Sequence, residues 1–142
     1  MALKESQDWR PWTEWAPELV RRERGALALA REKLERAIDA QRFRQFLFFR
    51  QWGALRARAA AAGVAIVGDV PIFVAHDSVD VWANPDLFHL DANGRPTVVA
   101  GVPPDYFSPT GQLWGNPLYR WDVLESTGYA WWLERLRAIL GL

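Results

Sequence analysis

The sequence contains no cysteine. That excludes a disulfide framework, a thiolate metal site and a cysteine nucleophile. It fits a reducing compartment, and a cytoplasmic location is the expectation. Histidine is also scarce. His76 and His89 are the only two, too few and too isolated for a metal centre. Turn or surface roles are expected for both, with no metal. Net charge is missing as well: Lys plus Arg and Asp plus Glu number 17 each. A neutral balance argues against nucleic acid or an anionic membrane as the main partner. No apolar run approaches the roughly 18 residues that a membrane helix needs. The first residues, with Lys4, Glu5 and Asp8, lack the apolar centre of a signal peptide. Internal repeats and low-complexity tracts are absent too.

What is present is a globular composition. Apolar residues make up 50% of the 142, enough for one ordinary domain with a core. Tryptophan, at nine, is more abundant than a core of this size needs. The most unusual stretch runs from Gly101 to Tyr119. Its nineteen positions hold four prolines, three glycines and four aromatics. Such a segment reads as a proline-stiffened loop, because it suits neither a regular helix nor a central strand. Tyr106, Phe107, Trp114 and Tyr119 stand there beside Asp105, Gln112 and Asn116. Flat apolar faces next to polar groups on a rigid loop suit ligand contact outside the core.

The rest of the chain alternates helices with one apolar run. Met1 to Glu5 reads as a helical turn, and Pro17 followed by Glu18 suits a helix start. Leu27, Ala30, Leu34, Ala37 and Ile38 recur at helical spacing. Arg42 to Ala62 continues helical, with Phe46, Phe49, Trp52, Leu55 and Ala59 near one stripe, and Gly63 supplies the stop. Val64 to Val67 reads as a strand buried on both faces, as in a parallel sheet. Asp77 or Ser78 caps a short helix that ends by Pro85. Leu87 to Leu90 and Pro96 to Val99 read as strands joined by an Asp91-Ala92-Asn93-Gly94 turn. Asp122 is expected to cap a helix stopping at Gly128. Tyr129 to Leu140 gives a last amphipathic helix. Trp9, Trp12 and Trp15 are expected to pin an irregular segment onto a helix, and Trp121, Trp131 and Trp132 to pack. The fold class is therefore α/β with strands missing, since a lone strand leaves its edges unpaired.

Two readings compete at each candidate site. Asp69 lies just past the Val64–Val67 run, at the end of a strand where α/β barrels carry their active sites. There it could bond substrate hydroxyls, or it could cap the next turn. The aromatic loop could stack on the apolar C–H faces of sugar rings while Asp, Asn and Gln pair with hydroxyls. Alternatively it is an Ω-loop packed on itself. Asp69 and Asp105 are the only plausible local pair of carboxylates for glycosidic chemistry. Asp105 in a loop is poorly suited to a nucleophile that needs tight positioning.

Phe46–Trp52 (Phe-Leu-Phe-Phe-Arg-Gln-Trp), Gly68–Ala75 (Gly-Asp-Val-Pro-Ile-Phe-Val-Ala), Asp77–Trp82 (Asp-Ser-Val-Asp-Val-Trp) and Val99–Tyr119 together resemble the bacterial amylomaltases. These are the 4-α-glucanotransferases of glycoside hydrolase family 77. The likeness runs nearly without gaps from about Gln41 to Trp132, and more loosely before it through Asp8-Trp9-Arg10. It implies a partial (β/α)8 barrel: residues 1–62 as a helical segment before the third barrel strand, and 63–142 as that strand, an inserted hairpin and loop subdomain, and the following helix. It implies transfer of α-1,4-glucan segments to an acceptor glucan or glucose, with retention and without metal or organic cofactor. The implied partners are maltooligosaccharides. Asp69 falls on the family aspartate lining the cleft. Tyr106, Phe107 and Trp114 fall on the mobile acceptor loop, with Asp105, Gln112 and Asn116 as polar support. The family nucleophile stands in an Arg-Ile-Asp-His-Phe-Arg-Gly segment on the next strand, and the general acid lies further on. This sequence contains neither, so no catalytic residue is assigned in it. The expectation is an internal slice of a roughly 500-residue enzyme, as for barrels with insertions. The alternatives are a non-catalytic α-glucan-binding module and an inert truncated product.

Overall fold

The computed structural model describes residues 1–141; Leu142, the last residue of the 63–142 segment, lies outside the described residues. The chain divides into two compact units. The first comprises Met1–Arg10, Ala16–Val70 and 136–141; the second comprises Pro11–Trp15 and Pro71–Arg135.

The first unit is helical: α1 (Ala2–Ser6), α2 (Pro17–Val20), α3 (Arg24–Lys33) and α4 (Glu35–Ala61). Pro17 occupies the first turn of α2, where its missing N–H costs nothing. The two periodic segments meet at Leu34 (φ −105°, ψ 13°), earlier than the gap between Ile38 and Arg42 that the periodicity suggests. Asp39, Ala40 and Gln41 contain no breaker, and two of the three are good helix formers, so α4 runs straight through them. Its end is as read from the sequence. Gly63 takes φ +71°, its N–H reaches the Ala60 carbonyl at 3.0 Å, and the Val64 N–H reaches that of Ala59 at 2.9 Å. This pair of bonds is the Schellman closure, and only glycine holds that backbone without strain.

The buried strand expected at Val64–Val67 does not form. Residues 64–70 carry no strand, and Val67 is 92% exposed. A strand is defined by the ladder its neighbours supply, and no strand pairs with this run among the described residues. The apolar stripe of α4 is equally uncovered. Phe46, Phe49 and Leu55 are each more than half exposed, and Ala2 is the sole buried residue among those described in this unit.

The second unit has a core of its own. Val74, Val81, Phe88, Ala100, Pro117, Tyr119 and Leu124 are buried in it, with Trp12 and Trp15. Trp12 donates Nε1–H to the His76 carbonyl at 2.8 Å and its backbone N–H to Asp77 Oδ1 at 3.2 Å. Trp15 meets Trp82 edge-on at 5.4 Å. Trp82 lies on α5 (Val79–Ala83), so Trp12 and Trp15 pin the irregular 11–15 segment as expected, but Trp9, grouped with them in the sequence, belongs to the first unit and is 57% exposed. Ser78, not Asp77, caps α5, its Oγ accepting from the Val81 N–H at 3.3 Å. His76 has the turn role read for it, with Nε2 2.6 Å from the Gly94 carbonyl.

Two expectations need correction here. The strands read at Leu87–Leu90 and Pro96–Val99 pair with each other only at one bridge, Leu90 to Pro96, while Phe88 bridges Tyr119 and Val99 opens a different strand. Leu87 closes a 3-10 turn, Pro85–Leu87, and Pro96 has no N–H with which to extend a ladder. The turn between them is as expected. The Gly94 N–H bonds the Asp91 carbonyl at 2.9 Å, and Asp91 Oδ1 accepts from Asn93 and Arg95 at 2.8 and 2.9 Å. Second, Gly101–Tyr119 is not wholly loop. β1 (Val99–Val102) and β2 (Gln112–Pro117) form an antiparallel ribbon, with Gly101 opposite Leu113 and Val102 opposite Gln112. The register shifts before Val99 meets Pro117. In a two-stranded ribbon every strand is an edge, which tolerates proline. Close approach demands the glycine: a Cβ on Gly101 would stand 2.7 Å from the Gln112 carbonyl oxygen.

After the ribbon, α6 (Trp121–Ser126) begins before Asp122, so that residue is not its cap. Asp122 instead pairs with Arg120 at 3.1 Å. Gly128 and Tyr129 both take positive φ, and α7 (Ala130–Leu140) follows.

Candidate functional site

The ribbon ends in a tip, residues 103–111, and the tip presents two rings. Tyr106 is 95% and Phe107 86% exposed, with ring centroids 5.6 Å apart and planes at 88°. Exposed rings gain little from burial, so their placement comes from the backbone beneath them. Pro103, Pro104 and Pro109 fix φ where no ladder bond is required. Asp105 Oδ1 accepts from the Phe107 and Ser108 N–H groups at 2.9 and 2.8 Å. The Asp105 N–H returns to the Ser108 carbonyl at 2.9 Å. Ser108 Oγ donates to the Gly111 carbonyl at 2.7 Å, and Gly111, at φ +74°, leads into β2.

Lower on the ribbon, Trp114 is half-exposed. Its Nε1–H donates to Gln112 Oε1 at 3.0 Å, and its ring meets Phe73 edge-on at 6.0 Å. Asn116 Nδ2 donates to the Val74 carbonyl at 2.9 Å, tying β2 to the 71–75 segment. Tyr106, Phe107, Trp114, Asp105, Gln112 and Asn116 therefore stand on one ribbon, and each of the three polar ones makes a bond within the protein. Asp69 belongs to the first unit. It is exposed, and its Oδ1 accepts the Val70 N–H at 2.7 Å.

Tyr119 leaves the group. Its place in the sequence groups it with the outward rings, but it is 3% exposed and forms the hub of the second unit. Phe88, Trp121, Trp131 and Trp132 lie within 5.7 Å of it, centroid to centroid, and Phe73 stacks on it at 6.4 Å. Trp131 and Trp132, half-buried, thus pack as expected, whereas Trp121 touches the cluster through Tyr119 but stays 56% exposed. The Tyr119 hydroxyl is buried and bonds nothing among the described residues. Burial pushes its pKa above the usual phenol value, against the pull of Arg135. Phe73 and Ser108 escaped the sequence reading. Ser108 had a signal, an Asp-x-x-Ser spacing typical of side-chain-closed turns; Phe73 had none, because its ring contact is made across the fold.

Among the described residues no three His, Asp or Glu converge as metal ligands. No helix there is long and apolar enough to cross a membrane. A groove of about 530 Å³ lies in the first unit among Leu3, Leu19, Leu29 and Leu34; none of the sequence-predicted site residues lines it.

Comparison with known proteins gives a consistent answer over the whole length. Residues 1–142 match the glycoside hydrolase 77 family, described as 4-alpha-glucanotransferase. A 4-alpha-glucanotransferase of Thermus thermophilus is 58% identical over 142 residues, all of this chain and 28% of that protein. One from Synechocystis is 50% identical over 141 residues, 99% of this chain and again 28% of the relative. The solved amylomaltase of Streptococcus agalactiae in complex with acarbose matches 97% of this chain and 28% of its own. That match has a TM-score of 0.91 and 43% identity. The chain thus spans a little over a quarter of the length of these relatives.

Proposed function

The chain belongs to glycoside hydrolase family 77, the 4-alpha-glucanotransferases, and on that premise we propose that it carries a glucan-contacting ribbon of such an enzyme. The observation that carries this reading is the Tyr106–Phe107 pair, almost fully exposed yet backed by a bonded turn. A glucose ring offers an apolar C–H face that loses water when it lies on a phenyl or phenol plane. Trp114 adds a third face on the same ribbon. Asp105, Gln112 and Asn116 support these rings. The ligand class is α-1,4-glucan, to match the acceptor side of the transfer reaction. In the complete enzyme the reaction is transfer of a glucan segment to a glucan or glucose acceptor with retention.

Asp69 is the proposed cleft carboxylate, at the end of residues 64–67, which become the third barrel strand once neighbouring strands supply a ladder. The absence of cysteine supports a cytoplasmic location. The nucleophile and general acid of the family have no counterpart in these 142 residues, so the isolated chain is expected to release no glucose from maltotriose. Glucose above a blank, from the purified chain, would refute that. Alanine at both Tyr106 and Phe107 is expected to abolish maltooligosaccharide binding while leaving the fold of the second unit intact.

One observation favours a second reading. The uncovered stripe of α4 and the exposed 64–67 run suit an inert piece whose helical unit lacks the surfaces that would bury it. Its signature is strong binding of a hydrophobic dye without any response to glucan.

A further inference from the structure

We propose that Asp105 is a positioning residue, setting the conformation of Tyr106 and Phe107 through the backbone and not as a carboxylate ligand of sugar hydroxyls. The proposal deepens the glucan reading and rests on it for the affinity arm of its test alone. A single carboxylate oxygen takes the N–H groups of Phe107 and Ser108. The Asp105 N–H is returned to the Ser108 carbonyl, and Ser108 Oγ closes onto Gly111. Both ends of the turn are therefore tied by groups that belong to residues 105, 108 and 111. Between them the chain has no choice but to raise residues 106 and 107 into solvent.

The prolines and the Ser108 bonds shape the ends of the tip, and the Asp105 oxygen is what holds the N–H groups of residues 107 and 108 between them. Neither ring is buried, so packing does not fix them, and among the described residues their one ring contact is with each other. Without the Asp105 oxygen, two N–H groups lose their partner and turn to water, and the 106–107 backbone samples other conformers. A ligand that stacks on two rings then has to order them first, and affinity falls without loss of any protein–sugar bond. The role needs an acceptor oxygen at that position; it does not need a charge. An asparagine side chain supplies the same oxygen in the same place, which separates positioning from direct recognition by a carboxylate.

The test is NMR on the intact 142-residue chain with D105A and D105N, titrated with maltoheptaose. In the wild type the perpendicular rings are expected to give Tyr106–Phe107 cross-peaks and an upfield ring-current shift. D105A is expected to lose both and to bind maltoheptaose about 5-fold or more weakly. D105N is expected to keep both, with affinity within about 2-fold of wild type. Retained cross-peaks in D105A would overturn the proposal. So would a D105N that keeps its cross-peaks but binds as weakly as D105A, because the charge would then be the contact. If the wild type binds no maltoheptaose while the cross-peaks follow the expected pattern, the glucan reading falls and the positioning role of Asp105 stands.

Discussion

Tyr119 is the residue whose chemistry is most out of balance. Its ring is wanted by five others, and its hydroxyl is buried without a partner among the described residues. Removing an unpartnered buried hydroxyl costs little, since no bond is lost and a desolvation cost is relieved. Tyr119→Phe is expected to leave stability unchanged or raise it by about 1 kcal/mol. Tyr119→Ala opens a cavity and is expected to cost about 3–5 kcal/mol; thermal and urea melts check both. The pH dependence follows from the same burial. The folded phenol holds its proton above the usual value, while the unfolded one ionises near pH 10. Stability is then expected to fall as pH rises past about 10, and Y119F should remove that slope. Asp91 works in the opposite direction. The backbone N–H of Arg95 above all, helped by that of Asn93 and the Arg95 charge, lowers its pKa and outweighs the opposing desolvation. Its contribution is present above the ordinary carboxylate value and fades as pH falls through the lowered one. An acid titration of wild type against D91A, following the 91–94 turn by NMR, checks this.

At the scale of elements, local chemistry was legible and partnership was not. The Asp91–Gly94 turn, the Gly63 stop, the Ser78 cap and the Pro17 start each depend on a few consecutive residues, and the sequence displays those. The crowding of prolines and aromatics in one segment is likewise visible, and the structure places the six loop residues named there on one ribbon. The ribbon inside Gly101–Tyr119 was not legible, since its pairing joins residues across a tip full of prolines that mask it. The same holds for residues 64–67. Their apolar run states what they would do between two strands, and no neighbour is there to do it with. Tyr119 was misplaced for a related reason. A tyrosine two residues after Pro117 reads as loop, and only the convergence of Phe88, Trp131 and Trp132 makes it core. One glycine tests the ribbon directly. Gly111 sits at φ +74°, and a Cβ there would lie 2.5 Å from the Val102 carbonyl oxygen. Gly111→Ala is expected to cost more than about 1 kcal/mol in local stability, from strain and clash together. Loss of the cross-strand contacts between residues 102 and 112, with the 91–94 turn unchanged, is the expected result.

Across the molecule, apolar burial is unevenly shared. The second unit encloses Phe88, Val81, Leu124 and Tyr119, whereas α4 buries nothing and exposes Phe43, Phe46, Phe48 and Phe49. Helices draw most of their stability from packing an apolar face, so α4 is expected to be the weaker element. Hydrogen exchange should show amides of residues 81, 88, 100, 119 and 124 outlasting those of residues 43–59 by about tenfold or more. Equal protection would contradict this unevenness. The matched relatives are more than three times as long as this chain. In a full-length enzyme carrying this segment, Asp69→Ala is expected to lower kcat severely, and a near-normal rate would remove Asp69 from the site. The ribbon needs no such context, because its supports lie in the unit that has a core. The glucan contact proposed for it is therefore measured most directly on the intact 142-residue chain, by following backbone and indole NMR signals as maltoheptaose is added. The expected result is a saturable shift of Tyr106, Phe107 and Trp114, with Kd of about 1 mM, that disappears in the Tyr106→Ala/Phe107→Ala variant. No shift at those residues, or binding that survives in the double variant, would contradict it.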